Sequence, residues 1–271
     1  MGFALDTCNL NALSEYRLIT LTGAGGKTSL SHLLVSLFKS DRKRIITTTT
    51  TKILPPDRGH IVLQADGPDF MRRVRAALDI FSCITVARDY DTNSGKLLGL
   101  TPETVSVLYR SGIADNILVE GDGAARKPLK APAAHEPVVP AETDLCIGVM
   151  GIDAVYRTMS EGCVHRGDIF SQITGCHKGD IITPHHLITL AGSARGLFKE
   201  CPDSCPKIAF LNKTDSPGGA ELTAEFIRLL SGKIKTEVEW FAGSVREKEI
   251  YPLLNFIPQP SLKKEMQLAF S

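Results

Sequence analysis

The sequence has no apolar run long enough to cross a membrane, because its longest apolar runs are far shorter than the roughly 20 residues of a spanning helix. Its first residues, MGFALDTCNLNALSEYRL, lack a basic stretch followed by a continuous apolar core, which argues against a signal peptide. Asp6 also stands where N-myristoylation requires Ser or Thr. We therefore expect no membrane segment and a cytoplasmic protein.

The chain also lacks an excess of charge of either sign. It has 31 Lys and Arg residues against 30 Asp and Glu residues, so its net charge is +1. No overall field would attract nucleic acid or an anionic membrane. We expect neither as a partner, but a local phosphate site stays open because such a site depends on a few groups only.

An even cysteine count, which a disulfide framework would require, is absent as well. The odd count of seven cysteines, in a chain expected to be cytoplasmic, favours free thiols. Cys83 and Cys146 lie in apolar runs that predict burial. Irregular spacing does not favour a structural zinc site in the second half, although a soft ligand set for a metal or selenium stays open there. The residues concerned are Cys163, His165, Cys176, His177, Cys201 and Cys205.

What the sequence does contain is an alternation of strand-like and helix-like stretches over 271 residues. The predicted strands are continuous apolar runs, which is typical of strands covered by helices on both faces of a parallel sheet. The pattern predicts an α/β protein with a doubly wound, mostly parallel sheet in three αβα layers. We expect a single domain over residues 1–271, with long inserted loops at 121–141 and 160–180.

A glycine-rich stretch, GAGGKTS, follows the first predicted strand and opens a predicted helix. Glycines allow a tight turn that directs backbone N–H groups inward, and the helix N-terminus favours an anion. Lys27 could reach terminal phosphates, and the Thr28 hydroxyl could bind Mg²⁺. The stretch predicts a nucleotide site of P-loop NTPase type that includes Gly23, Ala24, Gly25, Gly26, Lys27, Thr28 and Ser29.

This loop is shorter than a standard P-loop, because Leu21 stands where the first glycine of that pattern belongs. It resembles the short loops of the Mur-ligase and folylpolyglutamate-synthase group. The next predicted strand ends in TTTTTK, and Thr51 and Lys52 could contact phosphate or metal there. The alternative is that the threonines only reflect the strand preference of β-branched residues.

A third predicted strand ends in Glu120 and Asp122. A carboxylate at a strand end beside a phosphate loop typically holds Mg²⁺ or its waters, so Glu120 is the metal candidate. Asp122 could position a water molecule as a catalytic residue. The basic segment that follows predicts an anion site with catalytic Arg126 and substrate contacts from Lys127, Lys130 and His135, although solvated loop charges and a hydrogen-bonded histidine are the alternatives.

A later strand ends in LNKTD, and Asn-Lys-x-Asp at a strand end resembles the guanine-reading motif of GTPases. The Asp215 carboxylate could accept hydrogen bonds from N1–H and the exocyclic amine of guanine, whereas adenine presents an acceptor at N1. Lys213 could pack over the base, and Asn212 could brace the loop. The motif favours GTP over ATP, and the alternative is a polar turn that caps the next helix.

Six stretches in order along the chain resemble the YqeC family, described as selenium-dependent molybdenum hydroxylase accessory proteins. They are LTGAGGKTSL, TTTTTKI, LVEGDGAARKPLKAPAAHEPVVP, GVMGIDAV, VHR and LNKTD. The resemblance implies a P-loop nucleotide-binding fold and a role in selenium cofactor biosynthesis for molybdenum hydroxylases. It further implies Mg²⁺ and GTP or ATP as cofactors, a molybdenum or selenium cofactor in transit, and the hydroxylase or other maturation proteins as partners.

Three functions follow from these residues. The first is Mg²⁺-dependent nucleotide hydrolysis, with GTP preferred, that assists cofactor biosynthesis or insertion. The second is an ATP- or GTP-dependent transferase or ligase acting on a small cofactor precursor. The third is a non-catalytic cofactor carrier that binds nucleotide structurally. The oligomeric state stays open, with a homodimer as one alternative.

Overall fold

A computed structural model describes residues 10–40, 42–232 and 237–254. The predictions that concern residues 1–9, including Cys8 and Asp6, lie outside the described residues. No helix within the described ranges combines the length and the apolar character needed to cross a membrane.

Nine strands of the described chain form one sheet, with β1 at its centre. Their bounds, with those of five short strands outside this sheet, are β1 Leu18–Gly23, β2 Ile45–Thr49, β3 Lys52–Ile53, β4 His60–Leu63, β5 Cys83–Ala87, β6 Asp89–Asp91, β7 Lys96–Leu98, β8 Asn116–Glu120, β9 Leu129–Lys130, β10 Leu145–Gly151, β11 Val164–His165, β12 Lys207–Asn212, β13 Val238–Ser244 and β14 Glu249–Pro252. The helices are α1 Lys27–Ser40, α2 Phe70–Ile80, α3 Pro102–Arg110, α4 Gly167–Thr174, α5 Pro184–Gly192 and α6 Gly219–Ser231.

The order of strands across the large sheet is β14, β13, β12, β10, β1, β8, β2, β5 and β4. Every neighbouring pair is parallel except β13 and β14. The predicted α/β fold with a mostly parallel sheet is therefore confirmed, and it is consistent with a P-loop type of architecture.

Alternate residues of the central strands enter different cores, which places helices on both faces of the sheet. Ile19 and Leu21 pack with Leu34 and Phe38 of α1. Leu18, one residue away, packs with helix residues on the opposite face, among them Val74 and Leu108. A third cluster joins β10, β12 and β13 to α4, α5 and α6. The strands read as continuous apolar runs because both of their faces are buried.

Local sequence signals set several helix ends as predicted. Thr101 caps α3, because its hydroxyl accepts a hydrogen bond from the Thr104 N–H, and Pro102 occupies the first turn. Gly112 follows the end of α3 with a positive φ of 62°. At α5, Thr183 and His186 form a reciprocal cap ahead of Pro184.

The two intervals predicted as long inserted loops, 121–141 and 160–180, contain regular elements in the structure. Strands β9 and β11 pair in parallel and so join the two intervals. Helix α4 lies inside the second interval, and its Phe170 is fully buried. The glycines, histidines and charges of that segment obscured a short apolar periodicity in the sequence.

The register of the sheet brings the predicted site residues to one edge. Leu21 of β1 and Thr49 of β2 both lie opposite Glu120 of β8. On the other side of β1, Gly151 of β10 lies opposite Asn212 of β12. The carboxyl ends of these parallel strands therefore surround the glycine-rich loop, as expected for a ligand site in an open α/β sheet.

Candidate nucleotide site

The glycine-rich loop is held in a conformation that side chains would not allow. Gly23, Gly25 and Gly26 have φ values of 85°, 82° and 129°. A Cβ at Gly25 would lie 2.3 Å from the Gly151 nitrogen, and one at Gly26 would lie 2.3 Å from the Asn212 side-chain nitrogen. Both the backbone angles and the close neighbours therefore require glycine at these positions.

Part of the loop is anchored by its own neighbours. The Ala24 N–H donates to the Val149 carbonyl at 2.8 Å, and the Gly25 N–H donates to the Lys127 carbonyl at 3.1 Å. The Leu30 N–H donates to the Gly26 carbonyl at 2.9 Å and so begins the hydrogen-bond ladder of α1. These contacts hold the loop in place without using the amides at the start of the helix.

The backbone N–H groups in the first turn of α1 are the donors of this region that could bind a ligand. The N–H groups of Lys27, Thr28 and Ser29 have no acceptor within the described ranges. Amides at a helix start lack intrahelical partners, and the helix dipole adds a partial positive charge at this end. The arrangement is suited to an anion such as a nucleotide phosphate.

Lys27 is 5% exposed, and its ammonium group lies inside the loop. It donates to the Gly23 carbonyl and is 3.0 Å from an Asp122 carboxylate oxygen, in a contact that lacks hydrogen-bond alignment. The other Asp122 oxygen accepts from the Gly23 N–H at 3.2 Å. Asp122 therefore connects the lysine to the loop backbone.

Glu120 and Thr28 lie together, as the metal prediction requires. Burial raises the pKa of Glu120 above its usual range, while the charge of Lys27 and a hydrogen bond from Thr28 act in the opposite direction. A hydroxyl and a carboxylate in contact supply the oxygen ligands that Mg²⁺ prefers. The pair fits a magnesium ion, which would favour the ionised carboxylate.

A buried chain of alternating charges extends from Asp122 away from the loop. Lys130 is 1% exposed, and its ammonium lies 3.0 Å from Asp122 and 2.7 Å from Glu136. The carboxylate of Glu136 also accepts a hydrogen bond from Arg166. The Lys130 ammonium is thus enclosed by two carboxylates and the Gly123 carbonyl, and its contact with an anionic substrate stays a prediction.

The stability that the buried charge chain contributes should depend on pH through the Glu136 carboxylate. Burial acts to raise the pKa of Glu136, but hydrogen bonds from Lys130 and Arg166 and their charges outweigh it and leave the pKa lowered. A group with a lowered folded pKa stabilises the fold above its unfolded pKa, and that stabilisation is lost as the pH falls through the folded pKa.

Replacing Glu136 with Gln should therefore cost most stability at neutral pH, and the difference from wild type should shrink as the pH falls below about 4.3. Urea unfolding at a series of pH values from 7 to 3 measures this difference. Glu161→Gln is the matched control, because the Glu161 side chain is 94% exposed. A difference between Glu136→Gln and wild type that stays constant over this range would contradict the prediction.

The remaining basic candidates lie at the surface beside the loop. Arg126 is exposed and directly precedes Lys127, whose carbonyl accepts a hydrogen bond from the Gly25 N–H. Ala125 and Arg126 both have positive φ values, 47° and 58°. His135 is exposed and has no hydrogen bond within the described ranges, so neither its predicted base role nor the hydrogen-bonded alternative has a contact in support.

Thr51 and Lys52 lie beyond the end of β2 and line a cavity of about 350 Å³. The chain turns after β2, and Lys52 enters a small antiparallel sheet of β3, β7 and β6. Its ammonium lies 3.3 Å from Asp91. The predicted contact of the two residues with phosphate or metal stays a prediction.

Asn212 braces the loop in the way the sequence predicted. Its amide nitrogen donates to the Gly25 carbonyl at 2.8 Å, and its amide oxygen accepts from the Val245 N–H at 3.1 Å. Lys213 has a φ of 72° and pairs with Asp153 at 2.8 Å. The candidate base-reading segment is thus attached directly to the phosphate loop.

Asp215 has a partner that the sequence did not reveal. Its carboxylate lies 2.7 Å from the guanidinium of Arg246, which follows β13. The Asp215 side chain is 18% exposed and that of Arg246 is 73% exposed, so the pair is open to solvent on the arginine side. A base that binds to Asp215 would have to replace this arginine.

The sequence left open a soft ligand set for a metal or selenium among the cysteines and histidines of the second half. No group of three or more His, Cys, Asp or Glu residues suited to a metal ion occurs among the residues that the structure describes. Cys146 and Cys201 approach each other, with 2.7 Å between their sulfur atoms. Burial raises the pKa of Cys205 to about 12, which disfavours a thiolate there.

Sequence reasoning missed Glu136, Arg166, Asp153 and Arg246 as parts of this region. Three of the ion pairs join residues 30 or more positions apart, so no local spacing could indicate them. Glu136 and Lys130 are six positions apart, but nothing in that spacing marks them as a buried pair. A charge next to a proline-rich apolar segment, as in LKAPAAHEPVVP, is the one local signal that could have suggested a buried ion pair.

Comparison with known proteins links this site to one family. Residues 19–168 match the sequence model of a family described as YqeC protein. An Escherichia coli (strain K12) protein named "Uncharacterized protein YqeC" is 31% identical over 239 residues, which cover 88% of this chain and 91% of the relative. The range that the family model matches contains the glycine-rich loop, Glu120 and Arg166, and it ends before Asn212.

Proposed function

The chain belongs to the YqeC family, and on that premise we propose that it is a Mg²⁺-dependent nucleoside triphosphatase that uses GTP. Its hydrolysis would assist the biosynthesis or insertion of a selenium cofactor for a molybdenum hydroxylase. The selenium role comes from the family resemblance. The nucleotide role is supported by the site itself.

One observation carries the nucleotide proposal. The amides of Lys27, Thr28 and Ser29 have no acceptor within the described ranges, and the buried Lys27 ammonium lies at the same end of α1. Backbone dipoles and a cation directed at one point stabilise the charge of a transferring phosphoryl group. Three glycines that tolerate no Cβ fix the loop at this end of α1.

Each residue of the site has a proposed part in this chemistry. Lys27 and the loop amides would bind the terminal phosphates, and Thr28 and Glu120 would hold Mg²⁺. A bound Mg²⁺ would neutralise charge on the phosphate oxygens. Asp122 would orient Lys27, because its carboxylate joins Lys27 to Lys130 and to the loop. Arg126 is placed to approach the terminal phosphate from the surface.

The direct experiment is a product assay on purified protein with Mg²⁺. Release of free phosphate from GTP without any added acceptor would support hydrolysis. Tight nucleotide binding without turnover, in the presence of a molybdenum hydroxylase partner, would instead favour a carrier that binds nucleotide structurally.

The base preference rests on Asp215 and has its own test. In wild type we expect GTP to bind more tightly than ATP, and Asp215→Asn should shift the preference from GTP toward XTP by roughly 10- to 100-fold. The reason is that a carboxylate accepts two hydrogen bonds from guanine, whereas the amide can donate to the xanthine O2, and a charge-assisted hydrogen bond contributes about 1.5–3 kcal/mol. Titration of labelled GTP, ATP and XTP measures the preference.

Asp203→Asn provides the matched control, because Asp203 is exposed and lies outside the LNKTD segment. It should leave all three affinities unchanged. Equal binding of ATP and GTP by wild type would remove guanine recognition from the proposal while leaving the phosphate site intact.

A second candidate function is transfer to an acceptor, as in a transferase or ligase. The cavity beside Glu120 favours it, because simple hydrolysis needs no space for a second substrate. The short glycine-rich loop, similar to that of ligases that form acyl phosphates, points the same way. Nucleotide turnover that depends on an added acceptor would separate this function from hydrolysis.

A further inference from the structure

The cavity of about 350 Å³ lies at the carboxyl edge of the sheet, next to the candidate nucleotide site. Three chain segments and the start of α3 form its walls. The residues that matter to the argument are Thr51, Lys52, Arg88, Leu98, Leu100 and Pro102.

Two hydrogen bonds join the end of β2 and the cavity wall to the backbone carbonyl of Glu120, the residue whose carboxylate is the metal candidate. The Thr50 N–H, which belongs to the cavity wall, donates to the Glu120 carbonyl at 3.1 Å. The Thr49 hydroxyl donates to the same carbonyl at 2.8 Å. Because β8 alone separates β2 from β1, the cavity lies about two strand spacings, or roughly 10 Å, from the phosphate-binding strand. A ligand there would adjoin a nucleotide phosphate.

Two cationic side chains line the cavity, and within the described ranges only one of them has an ion pair. The Lys52 ammonium is paired with Asp91. The Arg88 side chain is exposed and has no ion pair or hydrogen bond within residues 10–40, 42–232 and 237–254. An unpaired guanidinium presents a planar set of donors that matches a carboxylate or a phosphate. Arg88 is therefore the group most available to an anion.

The rest of the wall is suited to an apolar ligand body. Leu98, Leu100 and Pro102 line the cavity opposite the polar groups. Gly99 packs against the backbone of Thr50 and Thr51, where an added Cβ would lie 2.4 Å from the Thr50 carbonyl carbon. This close packing fixes the backbone of the cavity wall at Gly99. The cavity volume is at the lower end of the 300–1,000 Å³ typical of small-molecule sites.

We propose that this cavity binds a small organic anion. Its carboxylate or phosphate pairs with Arg88, and its apolar part packs against Leu98, Leu100 and Pro102. Because the cavity adjoins the candidate nucleotide site, the anion would be the acceptor substrate of a transferase or ligase. That last statement rests on the second candidate function given above, whereas anion binding by the cavity does not.

Three probes that share an apolar body test the proposal: 2-naphthoate, 2-naphthyl phosphate and the uncharged 2-naphthalenemethanol. Each is titrated against the full-length protein by calorimetry in the absence of nucleotide. We expect at least one of the two anions to bind about tenfold more tightly than the alcohol, because a charge-assisted pair with arginine adds to the apolar contact. The stronger of the two identifies the ligand as a carboxylate or a phosphate.

Arg88→Gln should reduce binding of the preferred anion about tenfold, to the level of the alcohol. Arg75→Gln is the matched control, because Arg75 is exposed on α2 and does not line the cavity. Loss of binding in Arg88→Gln alone would support the proposal.

The proposal is overturned if neither anion binds more tightly than the alcohol, or if Arg88→Gln and Arg75→Gln behave alike. Failure of the proposed function would give a different experimental result. The anion would then bind to the cavity through Arg88, while GTP and ATP would not bind to wild type.

Discussion

Replacing Lys130 with Met is expected to lower the free energy of unfolding by about 3–5 kcal/mol. The Lys130 ammonium is 1% exposed and lies within 3.0 Å of the carboxylates of Asp122 and Glu136. Methionine fills a similar volume but leaves both carboxylates buried with fewer cationic partners. The cost of an uncompensated buried charge is therefore the expected origin of the loss.

Urea unfolding at pH 7 of wild type and Lys130→Met measures this effect. Lys178→Met is the matched control, since it removes a lysine that is 80% exposed and whose ion pair with Glu161 spans 4.0 Å. Surface pairs of this kind contribute about 0–1 kcal/mol. A loss of less than about 1 kcal/mol in Lys130→Met would show that the charge chain is not a stabilising element.

A double variant, Lys130→Met with Glu136→Gln, distinguishes lost charge pairing from lost packing. Removing the Glu136 charge together with its partner should recover part of the stability, because one of the two unpaired carboxylates is then gone. The two changes are in contact, so their effects should deviate from additivity. Strictly additive losses would indicate that packing, not charge, explains the effect of Lys130.

The second large effect is expected at Lys27. Lys27→Met should reduce nucleotide turnover about 10²–10³-fold, the usual effect of removing one group that stabilises charge in a transition state. Lys27 is the one cation whose ammonium lies within the glycine-rich loop in the described part of the chain. Without it, the helix amides would face the transferring phosphoryl group alone.

Phosphate release and nucleotide affinity are measured in parallel for this variant. Lys39→Met serves as the control, because Lys39 is exposed on the last turn of the same helix. It should match wild type in both measurements. A Lys27→Met protein with full nucleotide affinity and turnover would refute the assignment of the loop as the phosphate site.

Much of the fold could be predicted because its signals are local. The strand Asn116–Glu120 contains the apolar run ILV, and the helix Lys27–Ser40 begins directly after the glycine-rich turn. Thr101 and Gly112 delimit α3 as capping residues. In each case a run of apolar residues or a capping residue determines the element within a few positions. Helix α4 was missed because its apolar positions are few and lie among glycines and charges.

The candidate site could be predicted at positions where the backbone geometry requires a particular residue. It was harder to predict where the role of a side chain depends on its contacts in the folded chain. Gly25 and Gly26 have no substitute, so the sequence displays them. Arg126 and Lys130 look equivalent in the stretch ARKPLK, yet one is exposed and the other is buried between two carboxylates. Nothing in the local composition distinguishes a solvated charge from an enclosed one.

By itself the sequence determined the parallel α/β architecture, the glycine-rich loop and the polar residues at the strand ends, because glycine, capping residues and apolar periodicity act over a few bonds. Only the tertiary structure decided that the Lys130 ammonium lies between Asp122 and Glu136. The same holds for the pairing of Arg246 with Asp215 and for the position of Arg88 and Lys52 in one cavity. The Lys130 contacts span eight residues or fewer, whereas the Arg246 pair and the cavity depend on the path of the chain over 30 residues or more. The energy of a charge is set by the groups that enclose it, and those groups come together only when the chain folds.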